Sequence, residues 1–343
     1  MDEVRRVQRV GKFTLTVSIP REYAKRMGLS AKDSLLMRED VDGTLRLIPA
    51  TRAREAAKAM LKADQVGTKE MLTMLVVGAY AMGYDTIEVS GKEPLDHAAV
   101  DQVLGTIKRL RGMEVVESDE RRIVAQSLMD PTKFPVDFLI KRLQILVSRS
   151  LERVMDSLER RQTAGLNEVS RVQEEIDELY WLILRQLLVA LSRRELASEI
   201  GIESPLHASG DRVSAKALDE IGGIIQDAAE ELVRLRGMRS RVDPRVTASI
   251  QKLAAKTREA FNTTVESLLT PDIKLIGESM ALVEETTQLE KQVMDEMLST
   301  ARSGYSRVLV SYFGQLARYC NIIIEISSHR LLRKTSRVAT VQQ

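Results

Sequence analysis

Residues 6–49 run RVQRVGKFTLTVSIPREYAKRMGLSAKDSLLMREDVDGTLRLIP, and their rhythm sets the expected fold of the N-terminal part. Phe13, Leu15, Val17 and Ile19 alternate with Thr14, Thr16 and Ser18. A period of two sends successive side chains to opposite faces, so this stretch is predicted as a half-buried strand with one apolar face. Pro20 follows, a residue favoured at the first position of a helix, where its missing N–H is not needed. Arg21 to Met27 is predicted as a short helix, which Gly28 is placed to end. Leu35, Leu36 and Met37 start a second strand, Asp42-Gly43 supplies a hairpin turn, and Leu45, Leu47 and Ile48 return. Four short strands and a two-turn helix bury too little surface alone. A dimer with strands paired between chains is the expected remedy.

Beyond residue 50 the pattern changes. Helical spacing is read over Arg54–Lys62 and Lys69–Met82, with Gly83 ending the second. Thr86–Val89 is a short strand, and Ala98–Arg111 is a helix ending at Gly112. Met113–Glu117 and Arg122–Gln126 form a hairpin around Asp119-Glu120. This gives a small α+β domain over 51–130, closed by Asp130-Pro131. Residues 133–335 are helical nearly throughout. Val172, Ile176, Leu179, Ile183, Leu187 and Leu191 recur at three and four, which lays one apolar stripe along a helix. Breaks at Gly201–Pro205, Asp243-Pro244, Thr270-Pro271 and near Gly304 divide the region into about six helices. They fall into two groups of three, 133–238 and 245–335, a weak internal repeat. The fold class expected is multidomain and mainly α.

Net charge is only +2 over 343 residues, so a case for nucleic acid depends on where the charge sits. A single cysteine, Cys320, excludes an internal disulfide. No apolar run approaches the ~20 residues that span a bilayer, because Arg185 and Gln186 interrupt Trp181–Leu191. The N-terminus MDEVRRVQRV lacks the apolar core of a signal peptide. A cytoplasmic protein without membrane insertion is expected.

Positive charge concentrates on the first strand and helix. Arg5, Arg6, Arg9 and Lys12 precede or begin the strand, and Arg21, Lys25 and Arg26 lie on the helix. These seven are the candidate DNA-binding residues, since cations on a rigid frame neutralise phosphates and release counterions. The whole string resembles the AbrB/SpoVT family, through Arg9, Gly11, Ile19-Pro20, the short helix, Gly28-Leu29 and Asp33 in that order. The resemblance implies a module over residues 1–50 in which two chains interlock as swapped hairpins and basic side chains contact DNA. Lys32 departs from the family, which usually has glycine there. A lysine at positive φ costs roughly 1 kcal/mol, so the turn is expected to differ. Some family members are antitoxins, a role that would not need the remaining residues.

The succession of a small α+β segment and two three-helix groups resembles the PhoU family. The local cues are VQEEIDELY at 172–180 and LARYCN at 316–321. PhoU proteins typically carry Glu/Asp-x-x-x-Asp motifs, which put two carboxylates one turn apart on a helix face and suit oxygen-loving cations. Here the pattern is eroded. Asp177 follows Gln173, Asp219 precedes Gly223, Asp295 follows Lys291, and Ala317 pairs with Asn321. Other four-spaced acids, Glu152/Asp156, Glu174/Glu178 and Asp227/Glu231, are read as solvated faces. No metal and no cofactor are expected.

No phosphate-cradling loop, Gly-x-Ser-x-Gly or His-Glu-x-x-His occurs. His97 is placed at a helix end, His207 in a loop, and Cys320, Tyr180 and Trp181 in the core. Arg330, Arg333, Lys334 and Arg337 form a basic tail available to phosphate. The expectation is a non-enzymatic, homodimeric regulator whose partners are DNA and itself. The competing expectation is an adaptor docking on a phosphate transporter or signalling protein, with the N-terminal module serving as dimeriser. Retention of regulation by a dimeric Arg9→Ala, Arg26→Ala variant would favour the adaptor.

Overall fold

The computed structural model describes residues 4–39, 43–50, 57–160, 162–237, 243–299 and 304–333. The chain forms two compact units, Met1–Ala57 and Lys58–Gln343.

In the first unit, β1 (Gln8–Val10) and β2 (Thr14–Thr16) pair antiparallel, with Arg9 opposite Leu15. Gly11 turns between them at φ +71°. Helix α1 (Arg21–Met27) starts after Pro20 and ends at Gly28, whose φ of +65° lets the chain turn back. The Gly28 and Leu29 N–H groups then donate to the Lys25 and Ala24 carbonyls. Strands β3 (Leu35–Glu39) and β4 (Leu45–Pro49) form a second antiparallel pair; Asp42 of the expected turn lies outside the described residues. Lys32 keeps a left-handed φ of 80°, so the turn does not change to spare it. Asp33 Oδ2 instead accepts the Ser30 N–H at 2.7 Å and helps hold the turn. The expected half-buried strand face is not covered within one chain. Phe13 is 95% exposed, Leu15 66% and Val17 51%. Pro49 is the one buried residue among those described in this unit.

The second unit begins with a four-stranded sheet, ordered β5 (Lys58–Lys62), β6 (Thr86–Ser90), β8 (Arg122–Ser127) and β7 (Met113–Ser118). β5 runs parallel to β6, as the crossover through α2 (Lys69–Ala81) requires, and the remaining pairs are antiparallel. With α3 (His97–Arg109), α2 covers a core of Val76, Tyr80, Ile87, Val89, Ile107, Ile123 and Ala125. The helix expected over Arg54–Lys62 is corrected here: Lys58–Lys62 is strand, and 51–56 lie outside the described residues. Ala59 and Leu61 turn inward while Lys58, Met60 and Lys62 are exposed, a period of two. Lys58 also bonds Glu88 on the neighbouring strand at 2.7 Å.

Helices α4 (Val136–Arg160), α5 (Leu166–Ser192), the single-turn α6 (Arg194–Ala197) and α7 (Pro205–Gly237) form the first helical group. Helices α8 (Pro244–Leu269), α9 (Ile273–Leu298) and α10 (Gly304–Leu331) form the second. The breaks coincide with the prolines and glycines. Asp243 and Asp272 cap α8 and α9 by accepting backbone N–H groups. The two groups share one apolar core, from Leu139 and Ile176 through Phe261 to Phe313. Arg185 and Gln186, which interrupt the apolar run of α5, are both buried. Arg185 donates to the Tyr80 and Tyr84 carbonyls at 2.8 and 2.9 Å and lies over the Tyr80 ring. It thereby satisfies carbonyls at the C-terminal end of α2, where a cation is favoured. Gln186 Nε2 donates to the Pro131 and Phe134 carbonyls. These two polar side chains fasten the α+β segment and the chain leaving it to the helices. No helix among the described residues is long and apolar enough to cross a membrane.

Candidate nucleic-acid interface

Seven cations and one carboxylate, Glu22, lie between residues 4 and 27. The structure leaves all seven cations exposed. Arg5 and Arg6 lead into β1, Arg9 sits within it, and Lys12 follows Gly11 at the hairpin turn. Arg21 and Lys25 are four apart on α1 and share a face. Arg26 lies over the Tyr23 ring, 5.7 Å from its centre, which steadies the guanidinium without neutralising it. The hairpin therefore groups Arg9 and Lys12, and α1 groups Arg21, Lys25 and Arg26. Between the cations stand exposed apolar side chains, Val4, Val7, Val10, Phe13, Leu15 and Val17. A surface of cations over uncovered apolar groups is suited both to an anion and to a second polypeptide.

In the helical part, the eroded acidic positions are occupied by other pairings. Gln173 Nε2 donates to Asp177 Oδ1 at 2.8 Å. Lys216 Nζ reaches Asp219 at 2.8 Å and Glu220 at 2.7 Å, and lies over the Tyr180 ring. Burial lifts the Asp177 and Asp219 carboxyls above their usual range, while their polar and cationic neighbours oppose the shift. A Cβ on Gly222 would collide with the Gln173 side chain. A divalent cation does not fit this donor set: Lys216 already supplies the positive charge, and Gln173 brings an amide. In the second group Glu290 faces Gly314 and pairs with Arg318 at 3.5 Å. Glu152, Glu178 and Glu231 are held by Arg258, Arg111 and Arg234.

One buried cluster of charge is not foreseen by the sequence reading. His207 lies on α7, not in a loop, because the helix starts at Pro205. Four residues on, Asp211 is completely buried. Arg330 on α10 donates to Asp211 Oδ1 at 2.6 and 3.1 Å, to Asp137 Oδ1 at 2.8 Å and to the Leu268 carbonyl at 2.9 Å. It is a buried fastener between α4, α7, α8 and α10, which corrects its placement in a basic tail; Lys334 and Arg337 lie outside the described residues. Burial pushes Asp211 up to about 6 against the pull of Arg330. Burial, with Arg330 and Arg333, holds His207 down to about 4. Asp137, His207 and Asp211 bring three donor atoms within 4.8 Å of one another. However, His207 Nδ1 accepts the Glu203 N–H at 3.2 Å, so the neutral ring carries its proton on Nε2, facing Asp211 Oδ2. That proton and the adjacent guanidinium suit an ion network and oppose a metal. The sequence signal was the His207-x-x-x-Asp211 spacing, which has meaning only once α7 is seen to begin at Pro205.

Residues 8–55 match the family profile of the antidote-toxin recognition protein MazE, a bacterial antitoxin. Residues 140–232 match that of the PhoU domain. The chain joins a MazE/AbrB-type module to a PhoU domain. The PhoU match runs from within α4 to within α7, the first helical group, and the MazE/AbrB-type match covers both hairpins and α1. No curated protein matches the chain. Both families are regulatory rather than enzymatic.

Proposed function

We propose that this chain is a DNA-binding transcriptional regulator of phosphate uptake. Its N-terminal module, residues 1–50, is dimeric and holds DNA. Its PhoU-type helices supply the surface that senses a signal or meets a partner. The observation that carries this reading is the composition of the first unit's surface, where seven exposed cations alternate with uncovered apolar side chains. Eight large apolar groups among the described residues are each more than half exposed there. Covering each contributes about 1.5–3 kcal/mol, so together on the order of 10 kcal/mol is withheld from the single chain. That equals the whole stability of a typical small domain. A second copy covers such a surface, and it doubles the cations presented to a duplex. Phosphate neutralisation by these side chains then provides affinity, and the location follows the DNA, the cytoplasm.

The test is a chromosomal Arg9→Ala, Arg26→Ala variant. Expression of phosphate-transport genes should lose its response to phosphate, and the variant should still sediment as a dimer. The PhoU match also favours a second reading, an adaptor that acts on a transporter or sensor kinase. Unchanged regulation by the dimeric variant would support the adaptor and sink the DNA reading.

A further inference from the structure

Helix α2 is apolar on both sides. Leu72, Val76, Ala79 and Tyr80 are buried against the sheet. The opposite side carries Met71, Met74, Leu75, Gly78 and Met82, and all five are exposed. Met74 and Met82 are 59% and 60% accessible. From Met71 to Gly83 there is no charged residue. A helix that is apolar all round is normally buried all round. The four large side chains leave roughly 400 Å² uncovered, within the range of about 300–600 Å² for the largest apolar patch of a monomer, which is often functional.

We propose that this stripe is a self-contact, in which α2 packs antiparallel against α2 of a second copy of the chain. The spacing is self-complementary about a point between Val76 and Val77. A two-fold axis there sets Met71 opposite the partner's Met82 and Leu75 opposite the partner's Gly78. The space over Gly78 is open, since a Cβ there would meet nothing within 4 Å. It can therefore receive the partner's Leu75 and let the helix axes approach. Isologous contacts of this kind require each surface to fit itself, and Met71, Leu75, Gly78 and Met82 do so by sequence position, with Met74 at the edge of the stripe.

The area argues for a tethered copy rather than a free partner. Roughly 400 Å² per chain is half of the ~800 Å² per partner in a stable interface, too little for free association. Eight residues separate Pro49 from Lys58, a span of at most ~30 Å. A dimer held by the first fifty residues thus keeps two copies of α2 at millimolar effective concentration, enough for a weak contact to form. The proposal rests on that dimer and adds a second contact, one that can open without dissociating the chains.

The experiment uses the full chain alone. Cys320 is fully buried and its thiol is pushed up to about 12, so it is a silent background. Leu75→Cys is treated with a short bismaleimide and compared with Lys108→Cys, an exposed site on α3. Cross-linking between chains should be at least tenfold faster at position 75. Adding Met74→Glu, at an exposed position that leaves the core intact, should bring the rate down to that of the control. Equal rates at 75 and 108, or no effect of Met74→Glu, would overturn the self-contact. Sedimentation separates the two failures: a dimer without cross-linking refutes this contact alone, whereas a monomer also refutes the N-terminal dimer.

Discussion

Arg330→Met should destabilise the helical unit by an amount that grows with pH. The guanidinium compensates Asp211, a carboxylate with no solvent exposure, and caps the Leu268 carbonyl. Losing the bond to that carbonyl costs about 1–3 kcal/mol at any pH. The Asp211 part depends on protonation. Its folded pKa of about 6 already lies above the unfolded carboxylate value, so in the native protein it favours folding less as pH rises from 4 to 6. Without Arg330 the buried group stays protonated well above pH 6. Each further pH unit then costs about 1.4 kcal/mol relative to wild type. His207, held down to about 4, contributes the opposite slope between pH 4 and its unfolded value of about 6.5, so the comparison belongs above that window. Urea unfolding at pH 6.5 and 8.0, followed by Trp181 fluorescence and circular dichroism, should show the cost of Arg330→Met rising by about 2 kcal/mol. Adding Asp211→Asn should remove the rise. A cost that is the same at both pH values, or that persists in the double variant, would refute the role given to this pair.

Other perturbations follow from the same geometry. Phe13→Asp with Leu15→Asp should turn the dimer into a monomer in sedimentation at micromolar concentration, with α-helical content unchanged; a persistent dimer would mean these side chains are not what the second copy covers. Gly83→Ala places a Cβ at positive φ and 2.6 Å from Val189 Cγ2, which should cost about 2–4 kcal/mol and lower the Tm; an unchanged Tm would contradict the packing of α2 on α5. Lys216→Met removes the ammonium beside Asp219 and Glu220, so added Mn2+ should raise the variant's Tm and leave wild type unaffected. Equal responses would show that Lys216 does not stand in for a cation.

Local chemistry was legible in the sequence wherever it is decided by neighbours. Pro20, Gly28 and Gly83 gave the ends of helices, and Pro205, Pro244 and Pro271 marked the helix breaks, whereas the alternation at 13–19 predicts a longer strand than β2, which spans only Thr14–Thr16 and is exposed. Lys58–Lys62 was misread because a five-residue edge strand carrying two lysines and a methionine also suits a helix, and only pairing with β6 decides between them. The basic residues of the candidate interface were visible as a cluster, since they lie within about twenty positions of one another. The Arg330 network was not, because Asp137, Asp211 and Arg330 are far apart in sequence and meet only when α4, α7 and α10 pack. Arg185 and Gln186 looked like interruptions of an apolar stripe, yet each is buried against carbonyls of another segment. Lys32 shows the reverse case: local strain predicted a changed turn, and the surrounding bonds retained it.

DNA binding is read by fluorescence anisotropy of a duplex from the promoter of a phosphate-transport gene, titrated with the whole 343-residue chain at several salt concentrations. Affinity should fall steeply with salt, at two chains per duplex. The Arg9→Ala, Arg26→Ala variant removes four cations per dimer, so its log–log salt slope should be shallower by about 4. Binding that is absent at low salt, or that has the same slope in the variant, would refute DNA recognition by these side chains.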